Sequence, residues 1–532
     1  MAALFHSTVR SPTRLTESAI YIDSAVIYCI WFRKIREKNN DLHSASTAAL
    51  KLAFTYDKAS IFFSFGTDDD AESEKTCVWD DMAGHHEVRG GVGESLYKSK
   101  SRKRVVDMTV LSFLKPMKKI CGVLTVALFL FAPLTVSAQG ADVVTTFKDE
   151  NGWTLKVNGK DFYIKGVVWS YSPRNQNYSY DLWSESDNFI SKVLDYEFGL
   201  MKAAGVNAIR SFTMIPPEWV TYIYREHGIM YVVNPLMGRY GYTVGGKWNA
   251  DIDYSDPLTR ATLLEGMLEI VNQYKNTPGV LMFAFGNESN YGLSWSSFEI
   301  ENLPVGEQNT AKARHLYSLS NEVMKAGKEI APNFPFTIVN GDIQYIDLIG
   351  ELCTDMDLLG SNVYRGSSFT SLWKDVDKKL DLPVVFFEFG SDAFNARSFE
   401  EDEVAQATIL RDQWQEMYNK AAGNGEEGNS IGGFVFEWRD EWWKYLQTER
   451  LDIQDTNASW ANQAYLFDWA EGKNNMNEEW FGITALGTTN SDGVYEARPR
   501  MAYDVLSEIW HMDPYTYTKQ AFNQAINDLD MD

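Results

Sequence analysis

Short apolar runs alternate with longer amphipathic segments from residue 142 onward. Runs such as VLMFAF at 280–285 and VVFFEF at 384–389 are continuous, which is typical of strands buried on both faces. The amphipathic segments carry their apolar residues on one helical face. Because strands that alternate with helices form parallel sheets, the pattern predicts an α/β fold. The predicted strands are 163–170, 208–212, 230–234, 280–285, 336–340, 358–363, 384–389 and 433–438. The predicted helices include 189–204, 258–274, 311–330 and 403–422.

Eight strand-helix units with no second domain signal predict a closed (β/α)8 TIM barrel over residues 142–515. A short β-hairpin precedes the first barrel strand, with arms at 154–157 and 162–164. The dipeptide between the arms, Asn158-Gly159, favours the positive φ angles of a type I′ turn. The tail after Tyr515 is polar, so we expect it to fray rather than to pack.

Residues 117–138 read MKKICGVLTVALFLFAPLTVSA, with two lysines, an apolar run and a small-residue cleavage site. This order is typical of a signal peptide, and it predicts a secreted or periplasmic protein that begins at Gln139. Residues 1–116 show no sustained periodicity. We interpret them as a disordered extension or an over-long gene start, or as a cytosolic extension if 117–138 is an uncleaved anchor. Only in that last case do we expect contact with a membrane.

Charge and composition narrow the classes of partner. The formal net charge is -24 over 532 residues, and an acidic surface repels polyphosphate, so a nucleic-acid partner is not expected. The four cysteines lack zinc-ligand spacing. The histidines after the predicted signal peptide, His227, His315 and His511, are not paired at ligand spacing either. We therefore predict no metal site, no cofactor and no Ser-His-Asp triad.

Two carboxylates follow apolar strands at positions where barrel enzymes place their working residues. The fourth run ends in GNES and brings Glu288 to the rim, and the seventh ends in FFEFGSD and brings Glu388. Side chains at the carboxyl ends of barrel strands share one open face. Cleavage of a glycosidic bond by a retaining mechanism uses two such carboxyl groups roughly 5 Å apart. We predict Glu288 as general acid/base and Glu388 as nucleophile.

Four further residues, Asn287, Arg210, Tyr364 and Trp438, are predicted to bind the substrate at the same open face. Arg210 ends the second strand and Tyr364 follows the sixth, where a cation and a phenol would keep Glu388 ionised. Asn287 is placed to bind a sugar hydroxyl, and Trp438 offers a flat face for a pyranose ring. Each residue alone has an ordinary structural interpretation. Their joint arrival at one rim from five strands is what favours a carbohydrate site.

These motifs resemble glycoside hydrolase clan A, and within it the catalytic barrel of glycoside hydrolase family 2. The resemblance runs from about Gly152 to Trp510 and includes VNGKDFYIKGVVW, GVNAIR, GNES, FFEFG, EEWFGI and RPRMAYDVL. It implies a retaining β-glycosidase that needs no cofactor. By the same resemblance Glu288 is the acid/base, Glu388 the nucleophile and Asn287 the contact to the sugar 2-hydroxyl. Arg210 and Tyr364 would support Glu388.

The sequence leaves the exact activity open. Family 2 enzymes typically carry jelly-roll and immunoglobulin-like domains before the barrel, whereas only the hairpin precedes it here. A cleft-type endo-β-glucanase, a mannanase or a transglycosylase of the same clan therefore fits as well, and the loops at 291–301 and 440–445 would shape that choice. A catalytically inactive glycan-binding barrel is the alternative from another class. In each case the predicted partner is a β-linked carbohydrate.

Overall fold

A computed structural model describes residues 140–529 and 531 together with six short strands before residue 91. The chain divides into two compact units, Met1–Phe131 and Ala132–Asp532. In the first unit two strands pair antiparallel and four form an antiparallel sheet. They are Ile22–Asp23 and Val26–Ile27, then Tyr56–Asp57, Ser60–Phe65, Lys75–Trp79 and His86–Gly90. The sequence pattern did not indicate these strands, because residues 1–116 show no sustained periodicity. The predicted signal peptide at 117–138 lies outside the described residues.

The second unit contains a closed barrel of eight parallel strands, as predicted. The strands, numbered β1 to β8, are Ile164–Val168, Ala208–Arg210, Met230–Val233, Val280–Phe285, Phe336–Gly341, Leu359–Asn362, Val384–Phe389 and Ser430–Val435. The barrel closes where β8 pairs with β1, with Ile164 opposite Gly432. Every predicted strand overlaps its observed counterpart. Only β8 is displaced, since it begins and ends three residues before the predicted 433–438.

Eight helices follow the eight strands in turn and form the outer layer. We number them α1 to α8, and they are Asp187–Ala203, Pro217–His227, Pro257–Tyr274, Val305–Ile330, Ile346–Leu352, Leu372–Lys379, Glu403–Asn419 and Met501–Trp510. The four helices predicted by periodicity are confirmed with shifted ends. The Ser186 side chain caps α1 by accepting from the Phe189 amide, and Asp256 caps α3 in the same way.

Smaller strands and helices lie in the loops that connect the barrel elements. Three two-stranded antiparallel sheets are Tyr242–Val244 with Lys247–Asn249, Phe394–Asn395 with Glu400–Glu401, and Thr484–Thr489 with Tyr495–Pro499. A four-residue helix spans Phe298–Glu301, and single 3₁₀ turns span Leu182–Ser184, Ser289–Tyr291 and Glu478–Trp480. None of the helices in the described part of the chain is both long and apolar enough to cross a membrane.

The entry hairpin is confirmed and is part of a larger sheet. Gly152–Val157 pairs with Lys160–Asp161, and Asn158 and Gly159 have φ angles of 52° and 78°, as a type I′ turn requires. A further strand, Val144–Asp149, pairs with the other edge of Gly152–Val157. This strand was not predicted.

The tail after Tyr515 packs, so the expectation that it frays is wrong. Residues Lys519–Asn527 form a further helix, α9. Phe522 and Ile526 stand four positions apart on it and are buried, and the Phe522 ring lies 4.5 Å from the Tyr418 ring on α7. These two large apolar residues dock the helix on the rest of the fold.

Candidate active site

The carboxyl ends of the barrel strands surround a pocket of about 480 Å³, within the range of ligand-binding cavities. Glu288 and Glu388 both line it, as do Asn287 and Tyr364. The structure therefore brings four of the six predicted site residues to one cavity. The other lining residues are Phe212, Tyr240, Tyr291, Asp342, Asn362, Phe436, Lys444, Trp460, Asn462, Glu478 and Phe481.

Arg210 lies beneath the pocket and is fully buried at the end of β2. Its Nη1 donates to Glu388 Oε1 at 2.7 Å, and its Nη2 donates to Asn287 Oδ1 at 2.7 Å. The Nε donates to Asn234 Oδ1 at 2.8 Å. Because the guanidinium has no exposed surface, the prediction that Arg210 itself contacts substrate is wrong. It holds the pocket residues of β4 and β7 in place, as the predicted support for Glu388 requires.

Glu388 is the fifth residue of β7 and carries two polar partners on its carboxylate. Arg210 binds Oε1, and the Tyr364 hydroxyl donates to Oε2 at 3.1 Å. Burial and the negative charge of Glu388 hold the pKa of Tyr364 well above its ordinary value of 10.0, so the phenol keeps the proton that it donates. A cation and a hydroxyl together stabilise Glu388 as an anion.

Glu288 has a different environment. It follows β4 in a left-handed backbone conformation, with φ of 50°, and its amide donates to the Val339 carbonyl at 2.9 Å. Such a conformation costs a non-glycine residue about 1–3 kcal/mol and is frequent at functional sites. Burial and the charge of Glu388 raise the pKa of Glu288 from 4.5 to about 7, outweighing the lowering effects of the Asn362 amide and of two arginines. The carboxyl group is therefore protonated over a wide range of pH.

The Asn287 side chain hydrogen-bonds three neighbouring side chains of the site. Its Oδ1 accepts from Arg210 and from Asn362 Nδ2 at 3.0 Å, and its Nδ2 donates to the Tyr240 hydroxyl at 3.0 Å. The amide is thus fixed in one orientation at the pocket wall. An oriented amide is suited to hydrogen-bonding a sugar hydroxyl.

The structure contradicts the prediction that Trp438 offers its face to a sugar. Its side chain is fully buried, and its Nε1 donates to Glu197 Oε2 on α1 at 2.5 Å. Since β8 ends at Val435 rather than at 438, Trp438 lies past the rim and turns into the helical layer. Phe436, the first residue after β8, reaches the pocket instead.

Sequence reasoning missed the residues supplied by the chain between β8 and α8. Trp460, Asn462, Glu478 and Phe481 all come from this segment, which runs from 436 to 500. Its length was the available signal, because most connections in α/β units have only a few residues and much longer ones are commonly functional. Lys444 falls in the loop at 440–445 that was expected to shape the site.

No group of three or more His, Cys, Asp or Glu side chains within the described residues is placed to hold a metal ion. Cys353 is a buried free thiol among the barrel helices.

A family model described as Glycosyl hydrolases family 2, TIM barrel domain, matches residues 148–422. No curated protein sequence matches the chain.

Among solved structures, the chain is similar to a Bacteroides uniformis β-glucuronidase, with 13% identity over 69% of this chain and 37% of that one and a TM-score of 0.45. An Eisenbergiella tayi β-galacturonidase gives 14% identity over 70% and 54%, with a TM-score of 0.42. A Bifidobacterium dentium β-glucuronidase gives 18% identity over 69% and 49%, with a TM-score of 0.40. The chain thus spans between 37% and 54% of the length of these proteins. Because the family model covers just over half of the 532 residues, the chain belongs to glycosyl hydrolases family 2 through its TIM barrel domain.

Proposed function

We propose that the protein is a retaining β-glycoside hydrolase that acts on a β-linked oligo- or polysaccharide. The observation that carries this proposal is the contrast between two carboxyl groups in one pocket. Glu388 has an ion pair with Arg210 and a hydrogen bond from Tyr364. Glu288 has no ion pair within the described residues, and its pKa is raised to about 7. One group is suited to attack as an anion and the other to donate a proton.

The reaction would proceed by double displacement. The Glu388 carboxylate attacks the anomeric carbon, the glycosidic C–O bond breaks, and Glu288 gives its proton to the leaving oxygen. Glu288, now ionised, takes a proton from water, and the resulting oxygen nucleophile displaces Glu388 from the sugar. Whenever Glu388 is a free carboxylate, Arg210 Nη1 at 2.7 Å and the Tyr364 hydroxyl at 3.1 Å stabilise its negative charge. Asn287 would hold a sugar hydroxyl throughout.

The nucleophile is tested with activated 2-deoxy-2-fluoro-β-glycosides, which form the glycosyl-enzyme faster than water releases it. We expect one sugar per chain in the intact mass and the label on the peptide that contains Glu388. Label on any other residue would contradict the assignment, and so would labelling of the Glu388→Gln variant by the fluoroglycoside.

The acid/base is tested with Glu288→Gln on two substrates of unequal leaving group. A dinitrophenyl β-glycoside needs little protonation, so its first step should survive, whereas an alkyl β-glycoside should lose about 10²–10⁴-fold in rate. Added azide should restore release of the sugar as a β-glycosyl azide. The matched control is Glu299→Gln, which removes an exposed carboxylate from the same loop. Equal losses on both substrates in Glu288→Gln would rule out its role as acid.

We also propose that the enzyme works outside the cytoplasm, on the basis of the signal-peptide pattern at 117–138. N-terminal sequencing of the protein recovered from its native host checks this, with Gln139 as the expected first residue. A first residue before 117 would contradict it.

A further inference from the structure

Lys444 is the only lysine or arginine among the described residues that line the pocket. It lies in the loop after β8, and its side chain is mostly buried. Its Nζ is 3.2 Å from Glu441 Oε2 and lies over the rings of Phe436 and Trp443 at 4.7 and 4.9 Å. The ammonium group is therefore part of the pocket wall and already has an anionic partner.

Several carboxylates surround this one ammonium group. Glu441 is itself buried and also accepts a hydrogen bond from Ser170. Burial lowers the pKa of Lys444, but the neighbouring negative charges outweigh that effect and raise the pKa above its ordinary value of 10.5. The largest of those effects comes from Glu441, and Glu478 and Glu388 also contribute, whereas burial and the charge of Glu441 hold the pKa of Glu437 well above its ordinary value of 4.5. The positive charge of Lys444 is thus already compensated by Glu441 before any ligand binds.

Two arginines next to the pocket are also paired with carboxylates, whereas Arg239, which is not among the lining residues, donates to the Glu288 carbonyl at 3.1 Å. Arg210 is bound to Glu388, and Arg365 grips Asp342 through two nitrogens, at 2.9 and 2.6 Å. In contrast, Glu478 faces the cavity with a single hydrogen bond, from Trp460 Nε1 at 2.9 Å. An incoming anion would therefore lose its water and find no unpaired cation among the described lining residues.

On this geometry, and resting on the hydrolase function proposed above, we propose that the pocket accepts an uncharged sugar and rejects a uronic acid, with the Lys444–Glu441 pair and Glu478 setting that choice. A desolvated carboxylate is tolerated only when a cation compensates it. Hydroxyl groups carry no such requirement, and both Glu478 and Lys444 can hydrogen-bond them. The paired lysine would then bind a neutral sugar as a fixed donor.

The test compares 4-nitrophenyl β-glycosides of glucose, galactose and mannose with those of glucuronic and galacturonic acid. We expect kcat/KM on either uronide to be below about one hundredth of that on the best neutral substrate, as like-charge contacts imply. A uronide that is turned over best would overturn the inference and leave the hydrolase function intact. If no glycoside were cleaved, the hydrolase function would fail, and calorimetry with methyl β-glucoside and methyl β-glucuronide would still decide the preference. Tighter binding of the glucuronide would overturn the inference.

Variants of the pair show which residues set the preference. Glu441→Gln removes the closest partner of Lys444, so the uronide-to-neutral ratio of kcat/KM should rise about tenfold. Glu449→Gln removes an exposed charge further along the same loop and should leave the ratio unchanged. Should Glu441→Gln fail to fold by circular dichroism, Glu478→Gln is the second variant, and it should move the ratio in the same direction. An unchanged ratio in every folded variant would overturn the role given to these residues.

Discussion

Replacing Arg210 with methionine removes a fully buried guanidinium that joins the ends of three barrel strands. Arg210 donates to Glu388 on β7, and it also donates to Asn287 and Asn234 next to β4 and β3. Methionine has a similar length but no charge and no donor. The substitution therefore leaves the Glu388 carboxylate buried without its cation and Asn234 Oδ1 without its donor, while Asn287 Oδ1 keeps only the hydrogen bond from Asn362.

The size of the effect follows from that orphaned charge. Removing one partner of a buried ion pair costs about 3–5 kcal/mol, because the remaining charge has lost both its water and its partner. We expect Arg210→Met to lower the free energy of unfolding by this amount at pH 7. Activity should fall as well, by more than about a hundredfold in kcat/KM, since a protonated or displaced Glu388 cannot attack.

Urea unfolding, followed by tryptophan fluorescence, measures the loss, with the slope against urea compared between variants. The control is Arg314→Met, which removes an exposed guanidinium that grips Glu351 in a similar two-pronged contact. It should give no measurable change. The double variant Arg210→Met with Glu388→Gln has no orphaned charge, so it should be more stable than Arg210→Met alone. Wild-type stability in Arg210→Met, or no recovery in the double variant, would refute the reasoning.

Four further predictions concern Glu288, Tyr364 and Trp438. Since the pKa of Glu288 is about 7, kcat/KM on alkyl glycosides should decline as the pH rises through 7, and a profile that stays flat to pH 9 would contradict this. The rise from 4.5 also means that ionising Glu288 costs the folded state about 3 kcal/mol. Glu288→Gln should therefore match the wild type below pH 4.5 and exceed its stability by that amount above pH 7, in urea titrations at each pH. Tyr364→Phe removes the hydrogen bond to Glu388 and should lower kcat about ten- to a hundredfold. Circular dichroism should show that the variant still folds. An unchanged kcat would mean that the Tyr364 hydroxyl does not support Glu388. Trp438→Ala should lower the free energy of unfolding by about 3–5 kcal/mol without a selective rise in KM, because the indole is in the core. A raised KM with unchanged stability would indicate instead that Trp438 contacts the substrate.

The barrel could be predicted from the sequence because its strands are buried on both faces. The runs at 280–285 and 384–389 match β4 and β7 residue for residue, since nothing polar interrupts them before the rim. β8 was misplaced because it begins SIGG, and glycine is rare in strands. There the glycine is needed for close packing, as a side chain on Gly432 would meet the Ile164 carbonyl 2.0 Å away. A contact with the first strand is not visible in the local pattern.

The site residues could be predicted where they lie at or next to the ends of correctly placed strands. Glu288, Glu388, Asn287 and Tyr364 stand at or next to strand ends, and the parallel order alone brings them to one face. The misplacement of β8 by three residues carried Trp438 into the predicted site and left Phe436 out. The loop residues could not be placed, because the course of the chain from 436 to 500 depends on long-range contacts such as the hydrogen bond between Trp460 and Glu478.

Substitutions at the strand ends and substitutions in the long loop after β8 should have different effects. The charges of Arg210 and Glu388 are compensated within the barrel, so a change there alters the balance of buried charge and should reduce stability and turnover together. Lys444 and Glu478 stand on the connection between β8 and α8, where a change in charge alters which sugar fits and leaves the strand ends untouched. Arg210→Met and Glu478→Gln, measured on the same urea and kinetic scales, should therefore separate. A loss of stability in Glu478→Gln as large as that in Arg210→Met would show that the loop is part of the barrel's charge balance and not a separate selectivity element.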